Sequence, residues 1–265
     1  ILHGHASDLA SRIEQAARRP PLMNYDRTGE LDESYPYKRS LQGAYRAAWA
    51  LDLPADFLSS HDLGAISRYR AVYCPCPILL EDRLAPLLQA YVEQGGILIA
   101  EASPALRQEN TWVAPTVPGL GLDRLFGLRE RYRVLPGADD LLVPEDGVPP
   151  MRMPAVVPES AISTAETLAR WQSNGQPAVT QNRLGKGRAL LIQSYPGQTY
   201  HADPSPANLQ FFAWLLHRHA GLQSALPLQG DRTGIVTRLL AVDADLLVML
   251  FNYNKTSRSV RLPDF

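Results

Sequence analysis

The sequence predicts an α/β fold, a mainly parallel sheet flanked by helices, followed by a short all-β segment. Three observations carry this. Short apolar runs alternate with segments of helical period between Tyr69 and Ala100, joined by short loops, the pattern of parallel strands with right-handed crossovers. Two apolar runs bracket Gly185-Lys186-Gly187, the signature of a β-hairpin. After Gly221 the apolar runs follow one another with no helical segment between them.

The elements follow in order. Ala6 to Arg18 places Leu9, Ile13 and Ala16 or Ala17 near helical spacing, with Arg18-Arg19 where cations suit a helix C-terminus. Pro20-Pro21 stops it, and Pro21 to Tyr25 is a candidate first strand before a polar loop from Asp26 to Tyr37. Ser40 to Leu51 is amphipathic through Leu41, Tyr45, Ala48 and Trp49. Ala55 to Ser59 and Tyr69 to Cys74 are the next strands. Leu84 to Gln94 is a helix closed by Gly95-Gly96, and Ile97 to Ala100 is a fourth strand. This arrangement is flavodoxin-like.

Ser103 to Pro158 breaks the rhythm and is dense in Pro and Gly; so long an excursion marks a functional or interaction segment. Leu122 to Phe126 reads as a helical turn within it and Arg129 to Leu135 as a strand. Pro177 to Arg183 and Arg188 to Gln193 form the hairpin, and Asn208 to Ala220 is a strongly amphipathic helix. Gly234 to Leu240, Asp245 to Tyr253 and Ser257 to Leu262 are strands that open a separate β domain without closing a sandwich. The expected organisation is residues 1–20 as helix and linker, 21–222 as the α/β domain and 223–265 as a partial β domain.

Composition narrows the function. Among 265 residues, 26 Lys and Arg balance 27 Asp and Glu, which leaves no global charge to attract nucleic acid or an anionic membrane. Arg129, Arg131 and Arg133 alternate along the chain and read as the solvated face of a strand. No apolar run reaches the ~18 residues of a membrane span. The start Ile-Leu-His-Gly-His shows no signal peptide and no initiator Met, so the chain reads as a cytoplasmic protein and as a piece of something longer. The two cysteines, Cys74 and Cys76, are too close for a good disulfide and lack nearby ligand partners, so they read as small apolar residues at a strand end. No cofactor and no metal are expected.

Candidate chemistry is sparse. Gly185-Lys186-Gly187 lacks the spacing and the hydroxyl of a phosphate-binding loop. The turn after Ile97 to Ala100, where a nucleophile would sit on such a fold, reads Glu101-Ala102-Ser103-Pro104. It offers no Cys and no flanking Gly, so Ser103 serves better as a turn residue than as a nucleophile. His201 stands next to Asp203 in a loop, and His217 and His219 lie near a helix C-terminus. Ser103 with His201 is the one cryptic hydrolytic pair available. Glu30, Asp32, Glu33, Glu81, Asp82, Glu101 and Glu109 are loop-side carboxylates of the type glycoside hydrolysis uses, and none stands out.

Several stretches in order resemble a known family. They are Tyr45-Arg46-Ala47-Ala48-Trp49-Ala50-Leu51-Asp52-Leu53-Pro54-Ala55-Asp56-Phe57, Tyr69-Arg70-Ala71-Val72, Tyr91-Val92-Glu93-Gln94-Gly95-Gly96, the run Pro118 to Gly127, Pro177-Ala178-Val179-Thr180 and Arg183 to Ala189. Together they resemble the central, trimerisation domain of the family-42 glycoside hydrolases (β-galactosidases), over most of Pro20 to Leu222. The resemblance implies a class I glutamine-amidotransferase-like fold without the amidotransferase cysteine. It also implies a parent enzyme whose (β/α)₈ barrel, ~250 residues, carries two catalytic glutamates outside this chain; no position here matches them.

The leading expectation is therefore a homo-oligomerisation module, a trimer by the resemblance, that supports a glycosidase active site. Its interface candidates are Trp112, Val113, Val117, Leu120 and Phe126 in the excursion. The alternatives are a carbohydrate-binding module that stacks sugars on Tyr35, Tyr37, Trp112 or Tyr200, and a cryptic hydrolase using Ser103 and His201.

Overall fold

The structure, a computed structural model, describes residues 1–18, 35–133, 138–224, 226, 228–230, 234–242 and 245–262. The expected strand Pro21–Tyr25 and the carboxylates Glu30, Asp32 and Glu33 lie outside the described residues.

Strand β1 (Leu2–His3) pairs parallel with β2 (Leu58–Ser59), and helix α1 (His5–Arg18) follows β1. A seven-stranded sheet runs in the order β3 (Ala71–Cys74), β4 (Ile97–Ala100), β11 (Gly187–Ile192), β10 (Pro177–Leu184), β9 (Glu166–Trp171), β6 (Ala138–Pro144) and β7 (Met151–Ala155). Only β3–β4 and β4–β11 are parallel; the other four neighbours pair antiparallel. The expectation of a mainly parallel sheet is thus corrected to a mixed one. A parallel neighbour needs a long crossover, usually a helix, and α3 (Leu84–Glu93) supplies one between β3 and β4. Beyond β11 the chain instead turns back on itself at Gly185-Lys186, and the excursion adds antiparallel strands. Pro154 is tolerated in β7 because that strand lies at the sheet edge, where a missing ladder donor is harmless.

The three parallel strands are covered on both faces, as their unbroken apolar character requires. Val72, Cys74, Leu98, Ala100, Ala189 and Leu191 face α3 through Leu84, Leu88, Tyr91 and Val92. The alternate residues Tyr73, Ile97, Ile99, Leu190 and Ile192 face Phe211, Phe212, Leu215 and the small residues of α2 (Pro36–Ala50). Each fully buried side chain of this size contributes about 1.5–3 kcal/mol.

The excursion is more ordered than its composition suggests. It forms the predicted short helix α4 (Leu122–Phe126), then β5 (Leu128–Tyr132), which pairs with β8 (Glu159–Ile162) beside the main sheet. The helix expected over Asn208–Ala220 is α6 (Pro206–Ala213), N-capped by Ser205 and continued as a π-helical segment Trp214–His219. Another helix, α5 (Pro196–Ala202), occupies what reads as a loop around His201. Pro196 at its first turn is the start signal.

Helices α2 and α5 cross at backbone contact. A Cβ placed on Gly43 would lie 1.8 Å from the Gly197 carbonyl oxygen, and one on Gly197 would lie 2.3 Å from that of Ser40. This crossing holds the segment after β11 against α2.

The C-terminal residues form the expected helix-free strands. The hairpin β13 (Ile235–Val242) with β14 (Asp245–Asn252) is fully laddered, and β12 (Gln229–Gly230) pairs with β15 (Val260–Arg261). Asp52, just after α2, ties the hairpin down by accepting hydrogen bonds from the Thr237 N–H at 3.0 Å, the Thr237 hydroxyl and the Ser224 hydroxyl at 2.8 Å. Leu240, Leu247, Leu250 and Phe251 of the hairpin stay exposed.

Candidate functional site

The carboxyl ends of β3, β4 and β11 meet where an open α/β sheet ordinarily binds a ligand. Here the position is filled from within. Glu101 leaves β4 fully buried, and its carboxylate accepts hydrogen bonds from the Tyr73 hydroxyl at 2.8 Å, the Cys76 N–H at 2.8 Å, the Gly197 N–H at 2.9 Å and the Ser40 hydroxyl. Burial pushes its pKa up and the four donors oppose that shift. Tyr73 is driven well above its ordinary value, first by burial and then by the adjacent carboxylate. Cys74 and Cys76 are buried thiols, and burial pushes Cys74 up to about 12. A thiol so protonated is no nucleophile.

Two residues on, Ser103 takes a left-handed backbone (φ 59°) and has no exposed surface. A sharp turn straight after a strand is shared with nucleophile elbows, but the flanking glycines and the following helix of an elbow are missing here. The Ser103 hydroxyl donates to one oxygen of Glu130 at 2.7 Å and its N–H to the other at 2.8 Å. Glu130, on β5, keeps part of its surface in water; desolvation by the protein packed around it nevertheless pushes its pKa up to about 7. The two Ser103 bonds and the charge of Arg133 hold it from rising further. Arg133 itself donates to the Tyr195 hydroxyl at 2.9 Å.

The Ser103–His201 pair is not assembled. The serine hydroxyl is committed to Glu130, whereas His201 lies on α5 near Arg46 and Arg39. Burial, and then those two cations, lower its pKa. Glu130 is the residue that sequence reasoning overlooked. Arg129 and Arg131 do point to solvent, pairing with Asp123 at 2.9 Å and Glu159 at 3.7 Å. Strand alternation places Glu130 between them on the opposite face, and that was the signal available.

The aromatic candidates divide sharply. Tyr37 is buried with its oxygen accepting from the Gly4 N–H at 2.7 Å. Tyr35 is buried, donates to Asp8 and accepts from Arg12, whose guanidinium covers its ring. Tyr200 is buried edge-on against Phe212. None of the three has a free face to stack on a sugar, so they are corrected to packing residues. Phe126 likewise fills the core beneath α4 and presents nothing to a partner. Val117 and Leu120 are half-buried. Trp112 and Val113 are the exposed members, at 75% and 61%.

An aromatic row absent from the sequence-based candidates crosses the surface instead. Phe57 lies 5.1 Å from Tyr45, Tyr45 6.1 Å from Trp49, and Trp49 6.4 Å from Tyr253, with both end rings exposed. The Arg238 guanidinium sits 3.9 Å over Trp49. Among the described residues, no group of three or more His, Cys, Asp or Glu is placed to hold a metal, and no helix is long and apolar enough to cross a membrane.

Comparison with known proteins then decides the family. The sequence profile of the β-galactosidase trimerisation domain matches residues 1–218. The chain belongs to that family. The description of that family implies homo-oligomerisation. It is 28% identical over 182 residues to the β-galactosidase LacZ of Heyndrickxia coagulans, a match covering 62% of this chain and 25% of that protein. The fold is similar to that of the cold-adapted β-galactosidase of Rahnella sp. R3, with a TM-score of 0.73 and 21% identity over 99% of this chain and 37% of that one. It is also similar to the β-galactosidase of Bacillus circulans sp. alkalophilus, with a TM-score of 0.68 and 20% identity over 82% of this chain and 32% of that one. The chain thus spans about a quarter to a third of the length of these relatives.

Proposed function

We propose that this chain is the trimerising, active-site-supporting part of a β-galactosidase-like glycoside hydrolase whose catalytic barrel lies outside it. The family match over residues 1–218 carries the reading. The sealed strand-end centre supports it: Glu101 has all its acceptor capacity engaged inside the protein, and Ser103 has no exposed surface. A site built this way holds loops in place and admits no substrate. In the assembled ring, each subunit's loops would wall a neighbour's galactoside cleft. Sedimentation equilibrium at micromolar concentration tests the first part, with a threefold mass expected and a strict monomer overturning it.

A second reading, carbohydrate recognition, is favoured by one observation, the surface row Phe57, Tyr45, Trp49 and Tyr253. Tryptophan fluorescence titrated with galacto-oligosaccharides checks it. A saturable change lost in Tyr253→Ala supports it, and a flat titration removes it.

A further inference from the structure

We propose that the turn Leu106–Ala114 is a preformed finger that seats Trp112 on a second copy of this chain; the proposal rests on the oligomerisation reading and names the anchor. Trp112 and Val113 are exposed at 75% and 61%, and they sit side by side at the end of a segment that is otherwise tightly fixed. The base is closed by the Ala114 N–H on the Leu106 carbonyl at 2.8 Å and held to the domain by the Arg107 N–H on the Ile78 carbonyl at 2.8 Å. The tip is closed by the Gln108 N–H on the Trp112 carbonyl at 2.9 Å and the Thr111 N–H on the Gln108 carbonyl at 2.8 Å. The Arg107 guanidinium on the Thr111 carbonyl at 2.9 Å and the Trp112 N–H on the Asn110 side chain at 3.0 Å complete it. The indole is therefore displayed by an ordered backbone.

A second, independent feature lies next to it. Thr111 holds φ at 68°, a left-handed conformation that is a genuine outlier for a β-branched residue. Such strain persists only where the surroundings over-determine it, and it clusters at binding and switch sites. Here it bends the chain immediately before Trp112. The finger already has the binding geometry, so docking it costs little ordering entropy. A rigid exposed Trp beside a branched apolar residue has the make-up of an interface anchor. The partner is a second copy because the domain belongs to a homo-oligomerising family. In a three-membered ring the contact is heterologous: each Trp112 meets a different patch on the next copy, so each ring contains three such anchors.

The test is sedimentation equilibrium over a concentration series on the wild-type chain, Trp112→Ala, Trp112→Arg and Trp112→Phe. Wild type is expected to trimerise with Trp112→Phe intermediate. Trp112→Ala and Trp112→Arg should need about thirtyfold more protein or worse to assemble, as loss of a hot-spot residue demands, with thermal midpoints unchanged at concentrations where wild type is itself dissociated. Val113→Glu changes the neighbouring exposed residue of the same finger and should act in the same direction. Acrylamide quenching reads the same contact in a Trp49→Phe background, because Trp171 and Trp214 are buried and half-buried Trp49 would otherwise add to the signal: Trp112 emission should become protected as the chain assembles. A trimer whose assembly midpoint is unmoved in Trp112→Arg, or whose quenching is independent of concentration, overturns the finger while leaving the oligomerisation reading intact. A wild-type monomer at every concentration overturns both.

Discussion

Glu101 and Glu130 lie on either side of one strand end and solve the same physical problem in different ways. Both desolvate a carboxylate, one wholly and one in part. Glu101 does so with four donors from four places: α2, the end of β3, the loop after it and the first turn of α5. Glu130 does so with two donors from a single residue, Ser103, and stays partly wet. The first carboxylate is a junction, since losing it strands four polar groups at once. The second is a latch, since it ties β5 to the turn after β4 through one residue and titrates near neutrality.

The largest effect should come from the junction. Glu101→Ala leaves two hydroxyls and two N–H groups facing an empty site and should destabilise the chain by about 3–5 kcal/mol, from the cost of unsatisfied buried groups. That is on the order of 10 °C in a thermal melt. Formate should restore part of the loss in this variant by accepting the same donors, and an equal melt for Glu101→Ala and wild type would erase the contrast.

The latch should show itself through pH. Glu130 has a folded pKa raised to about 7 from an ordinary value near 4.5. A raised folded pKa means the contribution to stability is present below the unfolded value and lost as pH rises through the folded one. Melts between pH 5 and 8 should therefore show wild type losing about 1–3 kcal/mol relative to Glu130→Gln, whose profile should be flatter across that window. A parallel pH dependence in the two proteins would remove Glu130 from the account.

Ser103 sharpens the comparison with a smaller effect. Ser103→Ala removes the hydroxyl bond to Glu130 but keeps the left-handed backbone, and should cost about 1–2 kcal/mol. Ser103→Gly loses the same bond while relieving the backbone, so chemical denaturation should place it between Ser103→Ala and wild type.

The parts of the fold legible in the sequence are those set by local periodicity. The helix read as Leu84 to Gln94 is found at Leu84–Glu93, the strand Ile97–Ala100 has those same bounds, and the hairpin around Gly185 is paired as its turn demands. Sheet order was not legible, because β6 and β7 are hidden in a Pro-rich stretch and join the sheet through β9, which lies beyond it. There Pro154 is harmless only because of where its strand lies. At the candidate site, the turn after β4 was located but its occupant was not singled out. Glu101 looks like six other loop carboxylates until Ser40, Tyr73, Cys76 and Gly197 converge on it from distant positions. Tyr35, Tyr37 and Tyr200 failed as surface platforms for the same reason: tertiary packing decides their burial, and no local pattern encodes it.

The crossing of α2 and α5 sets a rule for how far such a sequence can drift. Core positions around the sheet can exchange Leu, Ile, Val and Met as long as volume is kept, which lets a fold persist at the 20% identity seen against its solved relatives. Gly43 and Gly197 have no such latitude, because a single added carbon at either meets a main-chain oxygen of the other helix. Any descendant that replaces one must move both helices apart, and with them the Ser40 and Gly197 donors that Glu101 requires. Two glycines and a glutamate far apart in the chain are thereby bound to a shared evolutionary fate.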